Sequence, residues 1–214
     1  MKELARENQI PTVEIPGGNP PRAMLAYSLI QLISIFQQNG LCAYGILKQV
    51  EKAGEYLAGN QESIQERSSA LAAQLKGRIP VIYIASELEP IAIRWRQQIN
   101  ENSKMVCWHH VFPEMNHNEL VGWDIAADNI SVVMIRTEDD FDRTSVRMDI
   151  CKDIFKKKAP VHEVHACGND SIERAFYLIH FGDWLSIELA TLNGVDPVAI
   201  DNIIFLKDQL SEIV

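Results

Sequence analysis

Two side chains, Glu101 and His117, have the type and setting needed to move a proton next to a carbonyl. Glu101 lies in Ile99-Asn100-Glu101-Asn102-Ser103-Lys104 and His117 in Pro113-Glu114-Met115-Asn116-His117-Asn118-Glu119. Between them runs the short apolar stretch Met105 to Phe112. A helix opening near Pro90 would put Glu101 at its carboxyl end, where partial negative charge disfavours an ionised carboxylate. Such a carboxylate suits a general base near neutral pH. An imidazole titrates in the same range and can serve a second oxygen, and the flanking Asn side chains bond without changing charge. A carboxylate base with a histidine is one way to run an aldose–ketose isomerisation. The competing reading takes Asn-Glu-Asn as a solvated helix end and His117 as an ordinary helix start. The density of polar groups on both sides of one strand argues for a site, expected outside the carboxyl ends of the strands.

The elements that position these groups read clearly from Ile79 onward. Ile79 to Ile84 is an apolar run of the kind found in a central parallel strand. Pro90 fits the first turn of the next helix, whose buried face is Ile91, Trp95 and Ile99. Met105 to Trp108 is read as the next strand, Ile130 to Ile135 as the third and Val161 to Ala166 as the fourth. Phe141 to Lys157 is a helix, and Asp170 with Ser171 caps another, with Ile172, Phe176 and Ile179 inward. Gly182 and Asp183 separate that helix from Trp184 to Asn193, and Asp196-Pro197 signals the start of the last helix. Strands alternating with helices of this length imply an α/β fold with a parallel sheet covered on both faces.

Before Ile79 the chain is more irregular. Pro11 to Pro16 could form an edge strand, and Gly17 to Pro21 a loop. Ala23 to Phe36 is apolar on nearly every side and reads as a buried helix. Ile46, Leu47, Val50 and Leu57 make one amphipathic stripe, and Ile64, Leu71, Ala72 and Leu75 a second, with Asn60 as N-cap and Gly77 past the end.

The run Arg94 to Lys104, followed by Pro113 to Glu119, resembles the bifunctional phosphoglucose/phosphomannose isomerase family, whose members carry two sugar isomerase (SIS) subdomains. The match is to the second, carboxyl-terminal subdomain. The resemblance implies a SIS-type three-layer sandwich, mainly parallel, with helices on both faces. It implies that Glu101 shuttles a proton between C1 and C2. It implies that His117 assists ring opening and is contributed by the neighbouring subunit of a homodimer. Gly18-Asn19-Pro20-Pro21-Arg22 is similar to a Gly-x-x-Pro-Arg element in which the Arg stabilises the enediolate, which makes Arg22 the substrate-binding candidate. Asp183 to Ser186, Glu188 to Ala190, Gly194 to Pro197 and Leu206-Lys207 resemble the closing pattern of the family, in which a lysine on the last helix helps open the ring. Lys207 fits by position, beside a stripe of Ile203, Ile204 and Leu210 expected to face the core.

The resemblance places residues 1–58 as the tail of a first SIS subdomain plus linking helices, and residues 59–214 as the carboxyl-terminal subdomain. It implies conversion of glucose 6-phosphate, and of mannose 6-phosphate, to fructose 6-phosphate without a cofactor. The Ser/Thr-rich phosphate loop of the first subdomain is not in this sequence. The alternative is therefore a non-catalytic SIS module that binds a sugar phosphate or only dimerises.

Composition sets the outer limits. Hydrophobic residues make up 47% of the 214 and charged residues 23%, ordinary for a globular chain. A net charge of −9 with no basic stripe argues against a nucleic-acid partner. Ala23 to Phe36 is too short to span a bilayer, so no membrane role is expected, and no signal peptide is seen at the start. Cys42, Cys107, Cys151 and Cys167 form no C-x-x-C pair and are expected as reduced thiols in the cytoplasm. His109 and His110 cannot easily aim at one ion, and His162 and His165 face opposite sides of a strand, so no metal is expected.

Overall fold

The computed structural model describes residues 2–125 and 128–213. The chain divides into two compact units, Met1–Lys52 and Ala53–Val214.

The first unit holds α1 (Lys2–Glu7), a 3-10 turn (Pro21–Met24), α2 (Leu25–Gln38) and the first half of α3 (Ile46–Gly59). The expected strand from Pro11 to Pro16 does not form; residues 10–17 carry no regular structure. Proline cannot donate to a ladder, and two prolines bracket this short run. The expected buried helix is α2, but none of its residues is buried. Its apolar side chains point all round, and a short segment with few neighbouring elements cannot enclose a helix on every side.

The second unit is built on one sheet. Its elements after α3 are α4 (Gln61–Leu75), β1 (Ile79–Ala85), α5 (Glu89–Ser103), β2 (Trp108–Phe112), α6 (Glu119–Gly122), β3 (Ile130–Arg136), α7 (Asp142–Phe155), β4 (Val161–His165), α8 (Ser171–Asn193) and α9 (Asp201–Ser211). The strand order is β2-β1-β3-β4, all parallel, with Val81 opposite Trp108 and Ile79 opposite Ile130.

Alternation along the strands makes two cores, one on each face. Ile82, Ile84, Val133 and Ile135 pack with Leu71, Leu75, Trp95, Ile99, Leu178 and Phe181 from α4, α5 and α8. Val81, Tyr83, Val132 and Met134 pack with Phe112, Trp123, Met148 and Phe155 on the other face, which α7 covers. The result is the expected three-layer α/β sandwich.

Some element boundaries differ from the sequence reading. β2 begins at Trp108 rather than Met105, because Lys104 turns the chain through a left-handed conformation (φ 56°) and Asn100 Nδ2 donates to Met105 O at 2.7 Å. α8 runs unbroken through Gly182 and Asp183. Its buried stripe is Tyr177, Leu178, Phe181, Leu185 and Leu189, rotated from Ile172, Phe176 and Ile179, which are only partly covered. The last helix starts at Asp201, not Asp196; Asp196 Oδ1 instead accepts from Val198 N at 2.8 Å in a local turn. α9 has no buried residue, so Ile203, Ile204 and Leu210 do not face the core.

Candidate active site

α5 runs back from the carboxyl end of β1 to the amino end of β2. Its last turn, with Glu101, therefore lies at the amino edge of the sheet. His117 follows β2 and lies beyond the carboxyl edge. Both clusters were expected at the carboxyl edge; the crossover connection puts Glu101 at the other. The five residues of β2 alone separate the two edges by roughly 16 Å at ~3.3 Å per residue.

The end of α5 is held by α8. Arg94 donates twice to Asp183, Nε to Oδ1 at 2.9 Å and Nη2 to Oδ2 at 2.7 Å, and Gln98 Nε2 donates to Oδ1 at 2.8 Å. One turn lower, Trp95 Nε1 donates to Leu178 O at 2.8 Å and its ring stacks on Phe181 at 5.6 Å between centroids. Gly182 makes this approach possible: a Cβ there would sit 2.2 Å from Trp95 Nε1. Asn102 Nδ2 donates to Ser186 Oγ at 2.9 Å, Ser103 Oγ to Ser186 O at 2.7 Å, and Asn193 Nδ2 to Ser103 O at 3.0 Å. Asn102 and Ser103 are buried, while Glu101, next to them in sequence, is half-buried. The helix periodicity thus spends two polar residues on anchoring and turns the third toward solvent.

Glu101 lines a cleft of about 780 Å³. Arg96, Asn100, Lys104 and Trp108 line it from the α5–β2 side, and Ala199 to Ile203 from the opening of α9. The Cys107 thiol also lines it, and burial pushes its pKa up to about 12, so it stays protonated. The cleft therefore offers two carboxylates, Glu101 and Asp201, with cations and amides around them to hold a hydroxyl-rich ligand.

Neither His117 nor Lys207 lines this cleft. His117 is exposed at the end of the 3-10 turn Glu114–Asn116. That turn is fixed from below: Asn116 Nδ2 donates to Cys151 Sγ at 3.1 Å, and Glu119 accepts from Tyr83 Oη, which in turn accepts from Trp123 Nε1 at 3.0 Å. Burial raises the Tyr83 pKa, so the phenol remains a donor. Lys207 is exposed, six residues along α9 from Asp201, or about 9 Å at ~1.5 Å per residue. Arg22 sits half-buried in the 3-10 turn Pro21–Met24 of the first unit. Within one chain, then, the structure brings the start of α9 to Glu101 and keeps His117 away. Among the described residues no group of three or more His, Cys, Asp or Glu could hold a metal ion, and no helix is long and apolar enough to cross a membrane.

Arg94, Gln98 and Asp183 were present in the motifs but not paired from sequence. The signal was there: a charged Arg and Gln on the apolar-facing side of α5, and an Asp in the middle of an otherwise apolar helix.

Comparison with known proteins agrees with this architecture. Residues 64–210 match the family model described as the bacterial phospho-glucose isomerase C-terminal SIS domain. The bifunctional phosphoglucose/phosphomannose isomerase of Caldicellulosiruptor bescii is 36% identical over 100% of this chain and 66% of its own length. That of Aquifex aeolicus is 33% identical over 99% of this chain and 65% of its own. The chain therefore spans just under two thirds of the length of these relatives. A crystal structure of a glucose-6-phosphate isomerase like protein from Thermus thermophilus shares the fold, with a TM-score of 0.68 at 20% identity over 92% of this chain and 64% of that one.

Proposed function

The chain belongs to the bacterial phospho-glucose isomerase C-terminal SIS domain family, and from that membership we propose that it supplies the proton-transfer base of an aldose–ketose isomerase. The substrates are glucose 6-phosphate and mannose 6-phosphate, interconverted with fructose 6-phosphate through an enediolate. Both relatives named above carry phosphoglucose and phosphomannose isomerase in their names, which supports both epimers.

The observation that carries the reading is Glu101, half-buried on a helix end locked by α8 and opening on a cleft of about 780 Å³. That volume falls within the roughly 300–1,000 Å³ of small-molecule sites. In the proposed mechanism the Glu101 carboxylate takes the proton from C2 of the open-chain aldose. Electrons shift into the C1 carbonyl to give the enediol(ate), the O2 hydroxyl proton passes to O1, and the same carboxyl returns its proton to C1 as the carbonyl forms at C2. A single base serving both carbons fits a carboxylate carried on an anchored helix end. Arg22 stabilises the negative oxygen, and Lys207 assists ring opening.

His117 serves ring opening from a second copy of the chain. The opposite placement of Glu101 and His117 across β2 supports a homodimeric site. Residues 1–58 would be the tail of a first SIS subdomain and its links, and 59–214 the second subdomain. The four free thiols support a reducing, cytoplasmic setting.

The test is isomerisation of fructose 6-phosphate to the two aldose phosphates by the wild-type chain and Glu101→Gln. Loss of two or more orders of magnitude in kcat with the fold intact supports the base assignment, in line with the ~10²–10⁴-fold effect of general acid–base groups. Sugar-phosphate binding that survives in both proteins with turnover in neither contradicts it and leaves a binding module.

A further inference from the structure

Lys104 holds a backbone conformation that a lysine enters at a cost. It follows α5 with φ 56° and ψ 34°, the left-handed region in which glycine is favoured as a helix terminator. Strain retained at one residue points to a side chain that is needed there. The ammonium group shows what for. Lys104 Nζ donates to Glu101 O, and to Ala199 O at 2.7 Å. The first bond satisfies a terminal carbonyl of α5 on the residue that carries the base. The second crosses to the segment that leads into α9. Glycine would supply the turn more cheaply but has no means to make either bond.

We infer that Lys104 is a positioning residue that ties the opening of α9 to the Glu101 end of α5. The inference rests on the functional reading above only in its consequence for catalysis; the tether itself is a statement about α9. That helix has no buried residue, so apolar packing does little to fix it, and Phe205 is 66% exposed. Ala199 to Ile203 nevertheless line the cleft with Glu101. A charge-assisted bond to Ala199 O is the kind of contact that can hold such a helix in register. By fixing the start of α9 it also fixes the direction in which Lys207 is carried.

Amide hydrogen exchange on the wild-type chain, Lys104→Gly and Lys104→Arg separates the tether from a simple helix cap. Glycine keeps the left-handed turn and loses the ammonium; arginine keeps a cationic donor. The expected result for Lys104→Gly is an unchanged or raised Tm, unchanged exchange in residues 91–99, and at least ~10-fold faster exchange over residues 199–206. Lys104→Arg should restore most of the protection. Equal exchange over 199–206 in all three proteins overturns the inference, as does fraying confined to the last turn of α5. This readout needs no enzyme activity, so it can fail or succeed whether or not the isomerase reading holds. Where the wild-type chain turns over, Lys104→Gly should lower kcat more than it raises KM, and Lys104→Arg should recover kcat.

Discussion

Glu101 and His117 stand at opposite ends of strand β2, the first before its amino end and the second past its carboxyl end. Sixteen residues apart in sequence, they are separated by the five residues of β2, roughly 16 Å at ~3.3 Å per residue. A strand sets their separation.

The Arg94–Asp183 pair ties α5 to α8, with the two side chains only 16% and 31% exposed. Asp183→Ala removes the acceptor of three donated bonds from Arg94 and Gln98. Partial exposure discounts the cost of breaking a fully buried pair, leaving about 2–3 kcal/mol of stability lost. A double-mutant cycle with Arg94→Met, read by denaturant unfolding, should give a coupling of about 1 kcal/mol or more. Additive single losses would show that the pair does not act as one.

Gly182 is packed against an indole. Gly182→Ala puts a Cβ within 2.2 Å of Trp95 Nε1 and 2.4 Å of its Cδ1. The α5–α8 interface must open to admit it, and a cost of about 3 kcal/mol or more is expected from overpacking of this severity. Unfolding that matches wild type would mean the helices can slide, contrary to the anchoring described above.

Stability should fall on mild acidification. Burial depresses the pKa of His162 and of His180 below the ordinary 6.5, helped at His162 by Arg78 and opposed at His180 by Asp183. Gln61 Oε1 and Trp184 Nε1 both lie against His180 Nε2, at 2.8 and 3.1 Å. A lowered folded pKa means the unfolded chain binds the proton first as pH drops. The contribution of the neutral rings is thus complete above pH 6.5 and is lost as pH falls through 6.5 toward the folded values. Tm measured from about pH 7.5 to about pH 5 should decline, and less steeply in a His162→Gln, His180→Gln double variant. Identical slopes would contradict the assignment.

Much of the fold was legible because the strands that build it are simple. Ile79 to Ile84 and Ile130 to Ile135 are apolar on both faces and lie at the centre of the sheet, where both faces are covered. Local signals misled where they served a tertiary purpose. Gly182-Asp183 looks like a helix break, yet the glycine admits Trp95 and the aspartate binds Arg94. Asp196-Pro197 looks like a helix start, yet the carboxylate closes a turn on Val198. The apolar faces of α2 and α9 were legible as apolar but not as exposed, since hydrophobicity records a preference for cover and not what provides it. Glu101 was singled out from its motif as a candidate, but the edge of the sheet it occupies follows from the crossover geometry and needed the structure.

Mixing two inactive variants tests the two-copy site most directly. Glu101→Gln and His117→Ala chains, each folded and each lacking fructose 6-phosphate isomerisation, are combined at equal concentration and allowed to exchange subunits. In a dimer with the site shared across the interface, each hybrid has one site with both changes and one with neither. Random pairing should then return activity to about one quarter of wild type. A mixture that exchanges subunits and stays as inactive as its components contradicts a site built from Glu101 of one chain and His117 of another.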